Sequence, residues 1–240
     1  MKTIKQIMKF SIPHDEGELI FSMYGKNSEP VLKKQITADG LRMATMPETV
    51  SIIYDAFSSG GVDKNSISYA TFIIDQFQDS RFITATNTLW ISNEKIKVFP
   101  NNGLISIPED LENNRNKLSG LGLDTLLHVL KKHNMFVRSV DQKYQTGFLN
   151  SISKLANNKY AKALVGEAGL LKLVHLPFDN NDNKHPQCYL GSVSNDLSFP
   201  KITGSNISFE RVDGRYRLKL SGDIWQSQGY AFGVYDGDKK

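Results

Sequence analysis

The sequence has one cysteine among 240 residues, Cys188, and this scarcity excludes several classes of protein. A single thiol cannot form an intramolecular disulfide, nor can it build a cysteine-based zinc cage. Such cysteine usage is typical of proteins from a reducing compartment. We therefore expect a cytoplasmic protein that a hydrophobic core stabilises.

Long hydrophobic runs are also missing. No uncharged apolar run approaches the roughly 18 residues that a membrane span needs. Residues 1–13 interleave lysines with isolated apolar residues, unlike the continuous apolar region of a signal peptide. The sequence therefore predicts a soluble chain that makes no membrane contact.

Short nucleotide-binding and catalytic motifs are absent from the sequence. Gly120 and Gly122 begin a G-x-G, but Thr125 stands where the dinucleotide-binding fingerprint needs its third glycine. The phosphate-cradling G-x-x-x-x-G-K-[ST], the zinc motif H-E-x-x-H and the nucleophile elbow G-x-S-x-G do not occur. We therefore predict no cofactor.

A polar loop in the C-terminal half comes nearest to a metal site. Asp179, Asn181 and Asn183 resemble the start of a calcium loop, but Lys184 and Leu190 replace its glycine and its bidentate glutamate. A weaker metal or catalytic candidate combines four residues near this loop: Asp179, Asp182, His185 and Cys188. Turn chemistry accounts for such residues equally well, so we predict no metal site.

An enzyme would need a site assembled from residues that are distant in sequence. Asp75, His128 and His185 are candidates if the fold brings them into one pocket. His128 and His133 lie about 140° apart around a predicted helix and are poorly placed to share a metal. The sequence names no catalytic residue and does not decide whether the protein is an enzyme.

The best-specified local structure is a helix predicted over residues 45–61. Thr45 and Glu48 have the T-x-x-E spacing of a capping box, and Pro47 suits the first turn. Gly60 and Gly61 follow and favour the end of the helix there. One apolar stripe recurs at helical spacing and is predicted to be buried: Val50, Ile53, Tyr54 and Phe57.

Alternating apolar and polar residues predict most other N-terminal elements. We predict a hairpin or two nearby strands at 3–11 and 18–24, and a short strand at 31–36. A helix is predicted at 66–79, followed by three short strands within 82–99 that Asn87 and Asn93-Glu94 separate. A buried strand is the alternative for 66–79, since periodicity does not separate a short apolar strand from a helix. Helices that begin near Pro108 and Asp124 are expected to precede a return strand at 135–140.

The C-terminal half combines helical and alternating patterns. Residues 148–156 and 160–174 predict a pair of helices, the second with Gly166 and Gly169 on one face for close approach of another backbone. Asp213-Gly214 predicts a two-residue hairpin turn that sets Val212 opposite Arg215. Residues 230–235 predict a closing strand.

Together these elements predict an α+β fold. It comprises a mixed N-terminal strand and helix region, a central basic helical pair and an antiparallel C-terminal β-sheet. We expect two regions, 1–145 and 146–240, packed as one compact unit.

The net charge of +4 is unevenly distributed. Residues 115–175 carry 10 Lys/Arg and 3 Asp/Glu, a balance of +7, whereas residues 1–114 have a balance of −3. This asymmetry predicts a binding protein that contacts nucleic acid or another polyanion. The candidate contacts are the cations of the basic segment: Lys131, Lys132, Arg138, Lys143, Lys154, Lys159, Lys162 and Lys172.

Other interpretations stay open at this stage. The same cations also suit the solvated faces of amphipathic helices, and few aromatic residues stand nearby to stack on bases. An enzyme without a short motif is one alternative. A structural subunit that binds a protein partner or a second copy of itself is another, with the two-glycine helix and the C-terminal sheet as its contact surfaces.

Overall fold

The computed structural model describes residues 8–14, 17–58, 64–92, 95–99, 128, 138–140, 147–149, 151–176, 187–191, 201–212, 215–224 and 228–235. Its helices are α1 (Glu29–Ala38), α2 (Met46–Ser58), α3 (Lys64–Asp79), a 3-10 helix (Ile152–Asn157) and α4 (Lys159–Val174). Its strands are β1 (Phe10–His14), β2 (Gly17–Ser28), β3 (Arg42–Met43), β4 (Arg81–Ser92), β5 (Lys95–Phe99), β6 (Arg138–Val140), β7 (Gly147–Leu149), β8 (Gln187–Leu190), β9 (Lys201–Val212), β10 (Arg215–Ile224) and β11 (Gln228–Val234).

The described strands join in one mixed sheet, which confirms the α+β class. The main order is β1-β2-β11-β4-β9-β10-β8-β7, with β3 beside β11 and with β5 and β6 branching from β4. β8 runs parallel to β10, and β11 meets β4 in a parallel bridge. The predicted antiparallel C-terminal sheet is therefore only partly confirmed, because β8 adds a parallel neighbour and β11 pairs with N-terminal strands.

The two faces of the sheet carry different layers. On the α2 face, named for the helix it contacts, α2 and α3 pack on β4 and β9, and α4 packs on α2. The Phe77 ring of α3 stacks on Phe209 of β9 with centroids 5.7 Å apart. On the opposite face, the α1 face, Leu32 and Ile36 of α1 pack in a cluster that includes Tyr24 and Ile83. Helices thus lie on both sides of the sheet.

The helix predicted over residues 45–61 is confirmed as α2, and α3 confirms the helix predicted at 66–79. Val50 and Ile53 are fully buried, while Tyr54 and Phe57 are partly buried against the core. The two glycines that were predicted to end α2 lie outside the described residues. The apolar stripe therefore packs inward, as its spacing predicts.

Glu48 fixes the start of α2. Its Oε2 accepts hydrogen bonds from the backbone N–H of Thr45 and from the Thr45 hydroxyl, each at 2.8 Å. The Glu48 carboxylate thus accepts from the backbone of the cap residue, as the capping box predicts. The Thr45 hydroxyl departs from the motif, because it donates to that carboxylate. The guanidinium of Arg42 adds a bidentate pair, with Nη1 2.7 Å from Oε2 and Nη2 2.5 Å from Oε1.

The segment that leads into α2 lies inside the sheet. The N–H of Ala44 donates to the carbonyl of Phe232 in β11, and the N–H of Ala85 in β4 donates to the carbonyl of Ala44, both at 2.8 Å. The N–H of Met46 then donates to Thr86 Oγ1 at 2.9 Å. Residues 42–46 therefore bridge β11 and β4 before the chain turns into α2.

Residues 31–36 are helical, so the strand predicted there is wrong. Pro30 lies in the first turn of α1, where its missing N–H has no helical partner to lose. Leu32 and Ile36, four residues apart, are both fully buried and define one helical face. The apolar spacing of four residues outweighs the β-branched composition of this segment.

Strand β4 is continuous through Asn87, which was predicted to separate two short strands. The register against β9 shifts between Thr84 and Asn87, as in a β-bulge. The Asn87 side chain lies within the fold, where its Nδ2 donates to the carbonyl of Ala85 at 2.7 Å. A residue that is typical of turns thus accommodates an irregularity inside a strand.

The predicted central helical pair is only partly confirmed. Phe148 lies in β7, and the following turn is a 3-10 helix, whereas α4 agrees with the second predicted helix. Gly166 has φ 74° and ψ 174° and kinks α4, a conformation open essentially only to glycine. Gly169 lies against α2, with its hypothetical Cβ 3.8 Å from Val50 Cγ1. The two glycines therefore have different roles.

The strand register confirms the C-terminal hairpin. Val212 pairs with Arg215, and the register continues to Ile207 opposite Leu220, as predicted from Asp213-Gly214. β1 and β2 also form a hairpin, but β1 covers Phe10–His14, so it runs into the predicted turn and overlaps the strand predicted at 3–11 only at its end. β6 confirms the return strand over its described part. The helices expected near Pro108 and Asp124 lie outside the described residues, except for His128.

Glu48→Gln is expected to lower the free energy of unfolding by about 2–4 kcal/mol, because it leaves the Arg42 charge in a largely buried site without its carboxylate. Urea denaturation at neutral pH measures this loss. The exposed carboxylate of Asp75 supplies the control. Asp75→Asn is expected to change the same quantity by less than about 0.5 kcal/mol, and equal losses for the two variants would contradict the assignment.

The effect of Glu48→Gln is also expected to depend on pH. Burial alone raises the pKa of Glu48, but the Arg42 hydrogen bonds and charge, with the Thr45 hydrogen bonds, bring that pKa below its ordinary value. The resulting stabilisation is complete above the pKa of the unfolded carboxyl and is lost as pH falls through the folded-state pKa. The difference between native chain and variant should therefore shrink on acidification.

Gly229→Ala is expected to destabilise the fold by about 1–3 kcal/mol, because the added methyl overpacks the sheet. Its Cβ would lie 2.7 Å from the carbonyl oxygen of Arg81 and 2.9 Å from Ile83 Cγ1. Gly25→Ala is the matched control, since nothing lies within 4 Å of its hypothetical Cβ. Thermal denaturation compares the two variants, and a similar loss for both would overturn the packing argument.

Candidate functional site

A short basic stretch follows the edge strand β7. We name residues 151–162 the lysine segment. Ile152 and Leu155 of its 3-10 helix are buried, and that helix contacts β7 and β8. The side chain of Asn158 then caps α4, because its Oδ1 accepts from the N–H of Ala161 at 2.8 Å. Tyr160 is fully buried, so the backbone of the lysine segment is held against the core.

The lysine segment carries three exposed cations, Lys154, Lys159 and Lys162. Lys159 and Lys162 are three residues apart on α4 and therefore lie on one side of the helix. Lys162 Nζ forms an ion pair with Glu167 Oε1, and the two side chains are 50% and 75% exposed. A surface pair of this kind is weak, so Lys162 can exchange its partner for another anion.

Lys172, at the other end of α4, has a structural contact. Its Nζ donates to the Ser51 hydroxyl at 2.9 Å, and that hydroxyl donates to the carbonyl of Pro47 at 3.1 Å. Lys172 is half-buried and ties α4 to α2. Arg138 lies in β6 opposite Val98, and the remaining predicted contacts, Lys131, Lys132 and Lys143, lie outside the described residues.

Of the three candidates for catalysis, the structure describes Asp75 and His128. Asp75 is exposed on α3, His128 is exposed, and His185 lies outside the described residues together with Asp179 and Asp182. Cys188 is buried in β8, and burial raises the pKa of its thiol. Within the described ranges, no group of three or more His, Cys, Asp or Glu side chains is placed to hold a metal ion.

Sequence reasoning missed a row of polar residues on the α1 face. The register places Arg81 opposite Ser208, Ser208 opposite Lys219 and Lys219 opposite Tyr189. One transverse row thus crosses β4, β9, β10 and β8, and we name it the polar row. The hairpin turn alone predicts the Ser208–Lys219 pair, but no local signal brings β4 and β8 beside it.

No described helix is both long enough and apolar enough to cross a membrane. Comparison of the chain with protein-family models, with curated proteins and with solved structures finds no match.

Proposed function

We propose that the protein binds a polyanion, with nucleic acid as the favoured class, and that the lysine segment is a contact surface. The observation that carries the proposal is the placement of three exposed lysines within nine consecutive residues on an anchored backbone. Lysines attract phosphate groups without reading base sequence, so this binding is salt-dependent and tolerant of sequence.

The charge around the lysine segment supports this proposal. The described residues 151–176 contain four lysines and one glutamate, a balance of +3. Lys159 and Lys162 lie in the first turns of α4, where backbone N–H groups also favour an anion. Buried Ile152, Leu155 and Tyr160 reduce the ordering that binding requires, because the backbone is already fixed.

Fluorescence anisotropy with labelled DNA and RNA oligonucleotides of mixed sequence tests the proposal. The native chain is expected to bind at about 50 mM salt and to lose affinity steeply towards about 200 mM. The double variant Lys154→Gln, Lys159→Gln removes two phosphate contacts. Its salt dependence, the slope of log K against log salt, should fall by about two.

A second double variant controls for overall charge. Lys26→Gln, Lys34→Gln removes the same charge from exposed lysines of β2 and α1. It is expected to leave the salt dependence close to that of the native chain. Equal losses for the two double variants would reject the lysine segment as the contact, and absence of binding at low salt would reject polyanion binding.

A further inference from the structure

The polar row lies in a part of the sheet whose two faces differ sharply in chemistry. On the α2 face, β9, β10 and β8 present buried apolar residues: Ile207, Phe209, Leu218, Leu220, Cys188 and Leu190. On the α1 face the same strands present polar or amphipathic residues, of which Asn206 and Ser208 are buried and the others half-buried: Asn206, Ser208, Glu210, Arg217, Lys219, Gln187 and Tyr189. This alternation is typical of a sheet with one face on the core and one towards a polar environment.

Charge in and beside the polar row is predominantly positive. Among the described residues, Arg81 and Lys219 contribute two cations to the row and Glu210 contributes one carboxylate, while Arg217 beside the row has further contacts of its own. Lys219 Nζ lies 3.9 Å from Glu210 Oε1, with the two side chains 31% and 41% exposed. This pair is long and partly solvated, so it offsets little of the positive charge. The surface suits an anionic ligand.

Tyr189 gives the polar row an aromatic side chain at its β8 end. Lys219 Nζ lies 5.8 Å from the centroid of the Tyr189 ring, and Tyr189 is only half-buried. An aromatic ring beside a cation is the pairing with which proteins bind single strands, because the ring stacks on a base while the cation meets a phosphate. A duplex keeps its bases stacked inside and offers no free base face to such a ring.

The polar row ends beside β7, and the lysine segment follows on the other face of the sheet, where Ile152 and Leu155 join the core. Tyr189 pairs with Phe148 of β7, and the lysine segment follows β7 along the chain. The 3-10 helix of the lysine segment contacts both β7 and β8. From β4 to β8 the polar row spans three strand spacings, about 14 Å. A few nucleotides of extended single strand can follow this path to the edge of the sheet.

We propose that the polar row binds a single-stranded nucleic acid, with Arg81 and Lys219 on the phosphates and Tyr189 stacked on a base. The inference rests on the proposed function and names the ligand class within it. The strand crosses the α1 face over β4, β9, β10 and β8 and ends near β7, because the lysine segment packs on the α2 face of the sheet. Ser208, only 4% exposed, lies between the two cations as the polar floor of this path.

The test uses the full chain with a labelled oligothymidylate of about 15 nucleotides and a duplex of equal length. Arg81→Gln, Lys219→Gln is expected to weaken single-strand binding and to lower its salt slope by about two. Tyr189→Leu is expected to weaken it roughly fivefold or more with little change in salt slope, because stacking releases no counterions. Circular dichroism and thermal denaturation confirm that each variant is folded.

The outcomes separate this inference from the proposed function. Native binding to the duplex but not to oligothymidylate would overturn the inference and leave polyanion binding intact. Single-strand binding that only the lysine-segment variant weakens would also overturn it. The inference is supported if the row variants weaken single-strand binding and the control variant Lys26→Gln, Lys34→Gln does not. This holds even if the lysine-segment variant binds normally. Binding to neither probe would overturn both proposals.

Discussion

The carboxylate of Glu48 is the contact on which the central part of this fold depends. It holds the Arg42 guanidinium and both polar groups of Thr45, and thereby fixes the segment that bridges β11 and β4. The direction in which α2 leaves the sheet follows from that segment. Because α4 packs on α2, and the lysine segment opens α4, one partly buried ion pair indirectly positions a surface that we assign to binding.

Local patterns predicted those parts of the fold whose information lies within a few residues. The stripe of α2 and the Asp213-Gly214 turn each fix geometry through neighbours in sequence, and both predictions hold in the structure. Residues 31–36 form a helix and not the predicted strand, because Leu32 and Ile36 lie four residues apart on one buried helical face. Asn87 lies in a bulge of β4 and not in the predicted turn, because the long-range pairing with β9 continues beyond it.

The candidate site shows the same difference between local and long-range information. The charge bias of residues 115–175 pointed to Lys154, Lys159 and Lys162, which are close in sequence and exposed together. It did not reveal that Lys172 is engaged by Ser51, because that contact depends on how α4 packs on α2. Local sequence patterns do not predict the polar row, because its residues lie on strands that long-range pairing brings together. Composition identifies the lysine segment, which is continuous in sequence, whereas the polar row is defined only by the order of the strands in the sheet.

The central position of β11 has a consequence for how the molecule is made. Residues 228–234 pair with β2, β3 and β4, so the middle of the sheet is completed by the last described strand. During synthesis the N-terminal strands emerge long before this partner and expose unpaired backbone edges while they wait. Closure over so long a separation in sequence is entropically slow. β11 is thus the last partner that the edges of β2, β3 and β4 gain among the described strands.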